Sequence, residues 1–170
     1  MRLALEPGRS VAVSQPLIAA ALELIDEAFQ KKAWHGPNLR GTIRGLGAAE
    51  AAWRPGSGRH SVWELVVHAA YWKYAVRRRL SGEKRGSFAL EGSNWFPRPD
   101  LADDKAWAAD VRLLVDEHRK LRAVVAGLRD RDLDKAAAGH RTTVRVLVRG
   151  IAAHDLYHAG QIQLLKRLRS

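Results

Sequence analysis

The stretch TVRVLVRGIAAHDLYHAGQIQLLKRL, residues 143–168, decides how the chain is read. Val144, Leu147, Ile151, Ile162, Leu165 and Leu168 recur at helical spacing, the pattern of an amphipathic helix with one apolar face. His154 and His158 fall on the same line, four residues apart, so they sit one turn above the other and point toward a core. Imidazoles buried there lose their water and need a replacement partner. The two candidates are a metal ion and a polar network.

Working outward, three more segments carry the same period. The first helix is expected over about Gln15 to Ala33, with Ser14 as N-cap, Pro16 in the first turn, and a stripe of Ile18, Leu22, Ile25 and Phe29. A short helix fits around 47–53. The second long helix opens on Ser61-Val62-Trp63-Glu64, an S-x-x-E capping box, and runs to about Leu80 before Ser81-Gly82. Its apolar line is Leu65, His68, Ala69, Trp72, Val76 and Leu80. The connection over 82–102 is long and punctuated by Gly and Pro, which suits a crossover or a segment covering a site. The third helix starts at Asp103-Asp104 and runs to about Leu128, with Trp107, Val111, Leu114, His118, Leu121, Val125 and Leu128 inward. No strand-like alternation competes and no internal repeat stands out. The pattern predicts an all-α chain: a four-helix bundle with long connections, one domain over residues 1–170, its first 13 residues loosely ordered.

Composition narrows the function classes. Hydrophobic residues make up 46% of the chain, enough for a substantial core. There is no cysteine, which excludes disulfides, thiolate ligands and a cysteine nucleophile and is compatible with a reducing compartment. No stretch reads as a signal peptide or membrane span, so a cytoplasmic protein is expected. The net charge of +11 invites a polyanion. The basic residues are scattered, however, and several fall at helix ends, where they offset the macrodipole. A basic surface is the favoured reading over nucleic-acid binding, because no helix-turn-helix or zinc-finger pattern is present.

Seven histidines separate by position. His68, His154 and His158 lie on inward faces of two helices that can meet in a bundle. Three neutral imidazoles suit zinc or nickel, and a three-ligand set leaves a position for water or substrate, as catalytic sites do. His118 is a fourth inward candidate, either near that site or at a boundary. His35, His60 and His140 read as ordinary loop histidines. The string His154-Asp155-x-x-His158 resembles the zincin H-E-x-x-H with a shorter acid, but without that scaffold Asp155 reads as a surface or ligand-supporting residue. Glu64, one turn before His68, either supports it or only caps the helix. Gln161 either orients a ligand or bridges helices. Trp63, Trp72, Trp95 and Trp107 either line the cavity or fill the core.

Two stretches together, HSVWELVVHAAYWKYAVRRRLSG at 60–82 and GIAAHDLYHAGQIQLLKR at 150–167, with weaker support from WHGPNLRGTIRGL at 34–46, resemble the DinB/YfiT-like superfamily. The order of elements agrees as well. The resemblance implies a four-helix bundle with crossover connectivity and a divalent metal held by His68, His154 and His158. Relatives include thiol S-transferases, thiol-dependent isomerases and metal-dependent hydrolases, and they are commonly homodimers. An open tri-histidine site therefore suits either water activated for hydrolysis or a low-molecular-weight thiol as cosubstrate, acting on a small molecule.

One expectation follows directly. Changing His154 or His158 to Ala should abolish stoichiometric metal binding and leave helix content intact, measured by elemental analysis and circular dichroism of the purified variants. Ordinary imidazoles would also release the metal as pH falls through about 6.

Overall fold

The computed structural model describes residues 14–99 and 102–170, so the expectation for residues 1–13 lies outside it. Six α-helices follow in order: α1 Pro16–Phe29, α2 Leu39–Thr42, α3 Ala48–Ala52, α4 Val62–Ser81, α5 Asp104–Ala126 and α6 Val144–Arg169, with a 3-10 turn at Asp130–Asp132. Among the described residues there is no strand beyond two isolated bridges. The four long helices are those expected, and α3 matches the short helix around 47–53. The helix α2, capped by the Asn38 side chain on Gly41 N at 2.8 Å, was not anticipated.

Packing fixes the connectivity. α4 lies against α5 and α6, and α1 lies against the same two helices, so α1 and α4 face each other across one diagonal and α5 and α6 across the other. Two apolar clusters occupy the two ends. One holds Phe29, the first half of α4, Trp107, Leu114 and Ile162; the other holds Ile18, Ile25, Val76, Leu121, Val125 and the first turns of α6. Hence α4 and α5 run parallel, as do α1 and α6. Two adjacent parallel helices cannot be joined by a tight turn. The chain from 82 to 103 must travel back along the bundle, which explains its length.

The helix ends mix local and distant caps. Ser61 and Glu64 form the expected capping box on α4, and Gly82 ends that helix in the left-handed conformation, φ 75°. Asp103 caps α5 on Ala106 N at 3.0 Å, and its neighbour Asp104 accepts from Ala48 N at 2.9 Å, holding the start of α3. Ser14 is not the cap of α1. The position is Gln15, with no side-chain cap of its own; Asp130, 112 positions away from Ile18, accepts from Ile18 N at 3.0 Å and from Leu17 N at 3.2 Å. At its other end α1 stops at Phe29, short of Ala33.

The expected stripes are largely buried, with two departures. α4 is buried all round over Val62–Ala70 rather than along one line, because helices and the returning connection cover it from every side. On α6 the buried face is centred on Val148, Ile151, Asp155, His158 and Ile162, which leaves Leu168 exposed and His154 at the edge.

That shift removes the surface alternative for Asp155. It is 1% exposed and paired with Lys73 of α4, also 1% exposed. Each of the four long helices contributes to this polar layer between the two apolar clusters: Asp26, Lys73, His118 and Asp155 are all buried. Lys73 also sits 4.6 Å over the Phe29 ring, whose other neighbour is His118, stacked at 3.8 Å. Burial lowers the Lys73 pKa and raises that of Asp155 to about 6, each against the pull of its partner. The pair therefore costs desolvation and returns specificity of packing.

Removing Lys73 alone leaves a buried carboxylate without its cation. Lys73→Met should destabilise the fold by about 3–5 kcal/mol, while the double change Lys73→Met/Asp155→Leu should recover most of that loss, as read by urea unfolding. Asp130→Ala should cost about 1 kcal/mol through the lost cap on α1.

Candidate metal centre

His68 projects from α4 and His154 and His158 from α6, and their ring nitrogens converge. His154 Nε2 lies 3.1 Å from His68 Nε2 and 3.1 Å from His158 Nε2. The three form the one group among the described residues with the donor set and spacing to hold a metal ion.

The orientation of each ring has a cause. His68 Nδ1 donates to the Asn94 carbonyl at 2.8 Å. His158 Nδ1 donates to Gln161 Oε1 at 2.7 Å, and Gln161 Nε2 donates to the Tyr157 hydroxyl at 3.1 Å. A neutral imidazole with its proton on Nδ1 carries a bare lone pair on Nε2. Two such lone pairs therefore face His154 Nε2, and a spacing of 3.1 Å is of the order that zinc–nitrogen bonds of about 2.0–2.1 Å require. The donor set fits a divalent cation. The Nδ1 of His154 is buried without a protein partner.

Asn94 achieves its role through an uncommon backbone. With φ 64° it is the only non-glycine among the described residues in the left-handed region, which Asn tolerates better than most. That turn aims its carbonyl at His68 while its side chain accepts from Trp72 Nε1 at 3.0 Å. Trp95, the next residue, stacks on His68 at 3.9 Å, and His60 stacks on the far face of Trp95 at 3.6 Å. The returning connection thus covers the histidines with an aromatic lid anchored at two points.

Burial sets the protonation state. Desolvation lowers the pKa of His154 to about 3 and that of His158 to about 4, and it lowers His68 as well. The neighbouring imidazoles add to the effect on His154. His154 and His158 stay neutral, the ligating form, well below the pH at which an exposed imidazole charges, and burial moves His68 in the same direction.

The other candidates divide. Glu64 does not touch His68: its carboxylate accepts from Ser61 N at 3.0 Å and from His60 Nδ1 at 3.2 Å, and pairs with Arg54. It reaches the site only through His60 and Trp95. His118 points inward but away from the trio, 3.7 Å from Asp26 Oδ1. Trp63 and Trp107 are core, with Nε1 bonds to Asp110 at 2.6 Å and to Leu46 O at 2.8 Å, whereas Trp72 and Trp95 flank the histidines. His60 was missed as a contributor, although its i,i+4 spacing to Glu64 was visible. Asn94 left no such signal.

A cavity of about 540 Å³ opens beside His158, with His60, Trp95, Tyr157, Gln161 and Leu164 among its walls. Of the three converging histidines, His158 lines it.

Fold and site together define a helical bundle with an interior tri-histidine centre. The sequence profile of the DinB superfamily matches residues 33–162, and the chain belongs to that superfamily. Neither a curated protein nor a solved structure shows significant similarity to it. Among the described residues no helix is long and apolar enough to cross a membrane.

The depressed imidazole pKa values move the acid-release window expected from ordinary histidines. Metal should be retained on dialysis at pH 6 and lost only at a lower pH than ordinary imidazole ligands would allow. In the metal-free protein the unfolded chain takes up protons near the ordinary value of 6.5, before the folded chain does. The imidazoles' contribution is then full above that pH and declines below it; Asp155, with its raised pKa, runs the other way, but two imidazoles outweigh one carboxyl, so the urea midpoint should be lower at pH 5 than at pH 7.

Proposed function

We propose that the protein is a metal-dependent enzyme acting on a small molecule, with His68, His154 and His158 as the ligands of a divalent ion, zinc or nickel. The observation that carries this reading is the convergence of three Nε2 atoms with the Nδ1 protons of two rings already committed elsewhere. A divalent cation held by these three histidines would supply Lewis acidity and would lower the pKa of a water or of a low-molecular-weight thiol, which hydrolysis and thiol transfer both need.

The chain's own residues have separable tasks. The Asn94 carbonyl and Gln161 hold two imidazoles in the tautomer that exposes Nε2. Trp95 stacks on His68 and excludes water from that face. Tyr157, whose hydroxyl accepts from Gln161 Nε2, is 64% exposed and lines the cavity, so its hydroxyl can meet a bound substrate. The cavity's leucines favour an apolar portion of that substrate.

We further propose a cytoplasmic homodimer. Tyr157, Leu164 and Leu168 also wall the cavity beside His158, and their exposed apolar surface at its mouth supports pairing with a second copy there. Sedimentation equilibrium tests that state, and a monomer at micromolar concentration would exclude it.

Elemental analysis of the purified protein should find about one zinc or nickel per chain, and the metal-loaded protein should turn over simple esters, amides or electrophiles with or without an added thiol. Failure to take up either ion in stoichiometric amount would overturn the assignment. Gln161→Leu should lower metal affinity by about 10–100-fold while the fold persists.

A further inference from the structure

A second cavity, about 600 Å³, lies on the other side of Trp72, between the last turns of α4 and the returning connection. Its character differs from the cavity beside His158. Arg78, Arg79 and the exposed Arg85 line it together with the rings of Tyr71, Trp72 and Phe88, and the one carboxylate in its wall, the exposed Glu91, forms no ion pair with them. No carboxylate among the described residues pairs with any of the three arginines, although most buried or half-buried cations elsewhere in the fold have such partners. Arg79 lies 5.7 Å over the Trp72 ring, and its Nε is buried with no hydrogen-bond partner.

Arg78 and Arg79 stand in the last turn of α4, where cations offset the helix dipole. That accounts for their sign. It does not account for Arg85, which comes from the connection on the opposite wall, or for the aromatic floor beneath them. A guanidinium over the Trp72 face with its Nε unpaired, and two more guanidinium groups lining the same cavity, match an anion attached to a flat ring. The fork binds carboxylate or phosphate oxygens and the rings stack the remainder.

We propose that this cavity is a binding site for an organic anion, a carboxylate or phosphate carried on a planar or apolar body. Asn94 and Trp72 belong both to its wall and to the surroundings of His68, so the bound anion lies next to the tri-histidine centre without entering it. The site depends on the arginines and not on a metal.

The test follows the Trp72 indole N–H by NMR, assigned with Trp72→Phe, during titration with phenyl phosphate, benzoate and neutral benzamide. Both anions should shift the signal saturably and benzamide should not. Whichever anion binds more tightly identifies the class, and either order supports the site. Arg78→Gln/Arg85→Gln, two changes at the cavity's rim, should weaken binding at least tenfold with metal content and helix content unchanged. Chelator-treated protein should bind the anions within about threefold of the untreated protein. Absence of saturable binding, an equal response to benzamide, or full affinity in the double variant would overturn the proposal. So would loss of binding on chelation, which would place the anion on the metal.

Discussion

The ion pair of Lys73 and Asp155 is the constraint around which the bundle is arranged. Both groups are withdrawn from water, and neither has another ionic partner among the described residues. A buried ammonium and carboxylate tolerate no slippage, since a displacement of one helical turn would leave two unpaired charges in a medium that solvates neither. Lys73 stands five residues beyond His68, and Asp155 directly follows His154. Fixing α4 against α6 at this pair therefore also fixes which histidines meet. The polar layer thus adds a register constraint to the packing of the two apolar clusters.

From that register the site assembles through contacts of different reach. Gln161 acts within its own helix, three residues from His158. Asn94 and Trp95 come from the connection that the parallel pair α4 and α5 makes necessary. The topology thus supplies the lid. A bundle of alternating helices would have joined its neighbours by short turns and left His68 open to solvent on the side that Trp95 now covers.

Much of this was legible in the sequence, for identifiable reasons. The four long helices announced themselves through apolar period and through local caps such as Ser61 with Glu64. The three converging histidines were legible because each replaced an apolar residue on an inward line. What escaped depended on distant partners. The cap of α1 comes from Asp130, and no window around Ser14 contains it. The surface alternative for Asp155 failed because an acidic residue in an exposed-looking register is read as surface until its cation, on another helix, is known. His118 belonged to the inward stripe as expected, yet the same stripe says nothing of which end of the core it faces. Asn94 contributes a backbone carbonyl, a group every residue possesses, so its identity gave no hint of its role.

The left-handed turn at Asn94 changes how substitutions in this connection should be judged. Its contribution to His68 is a matter of backbone shape, and the side chain matters chiefly for how readily that shape is adopted. Gly at this position would keep the carbonyl in place while releasing Trp72, whereas Val or Ile would resist the shape itself. Side-chain similarity is therefore a poor guide to harm here. The residue that most resembles a hydrogen-bonding Asn on paper is less important than one able to bend the chain the uncommon way.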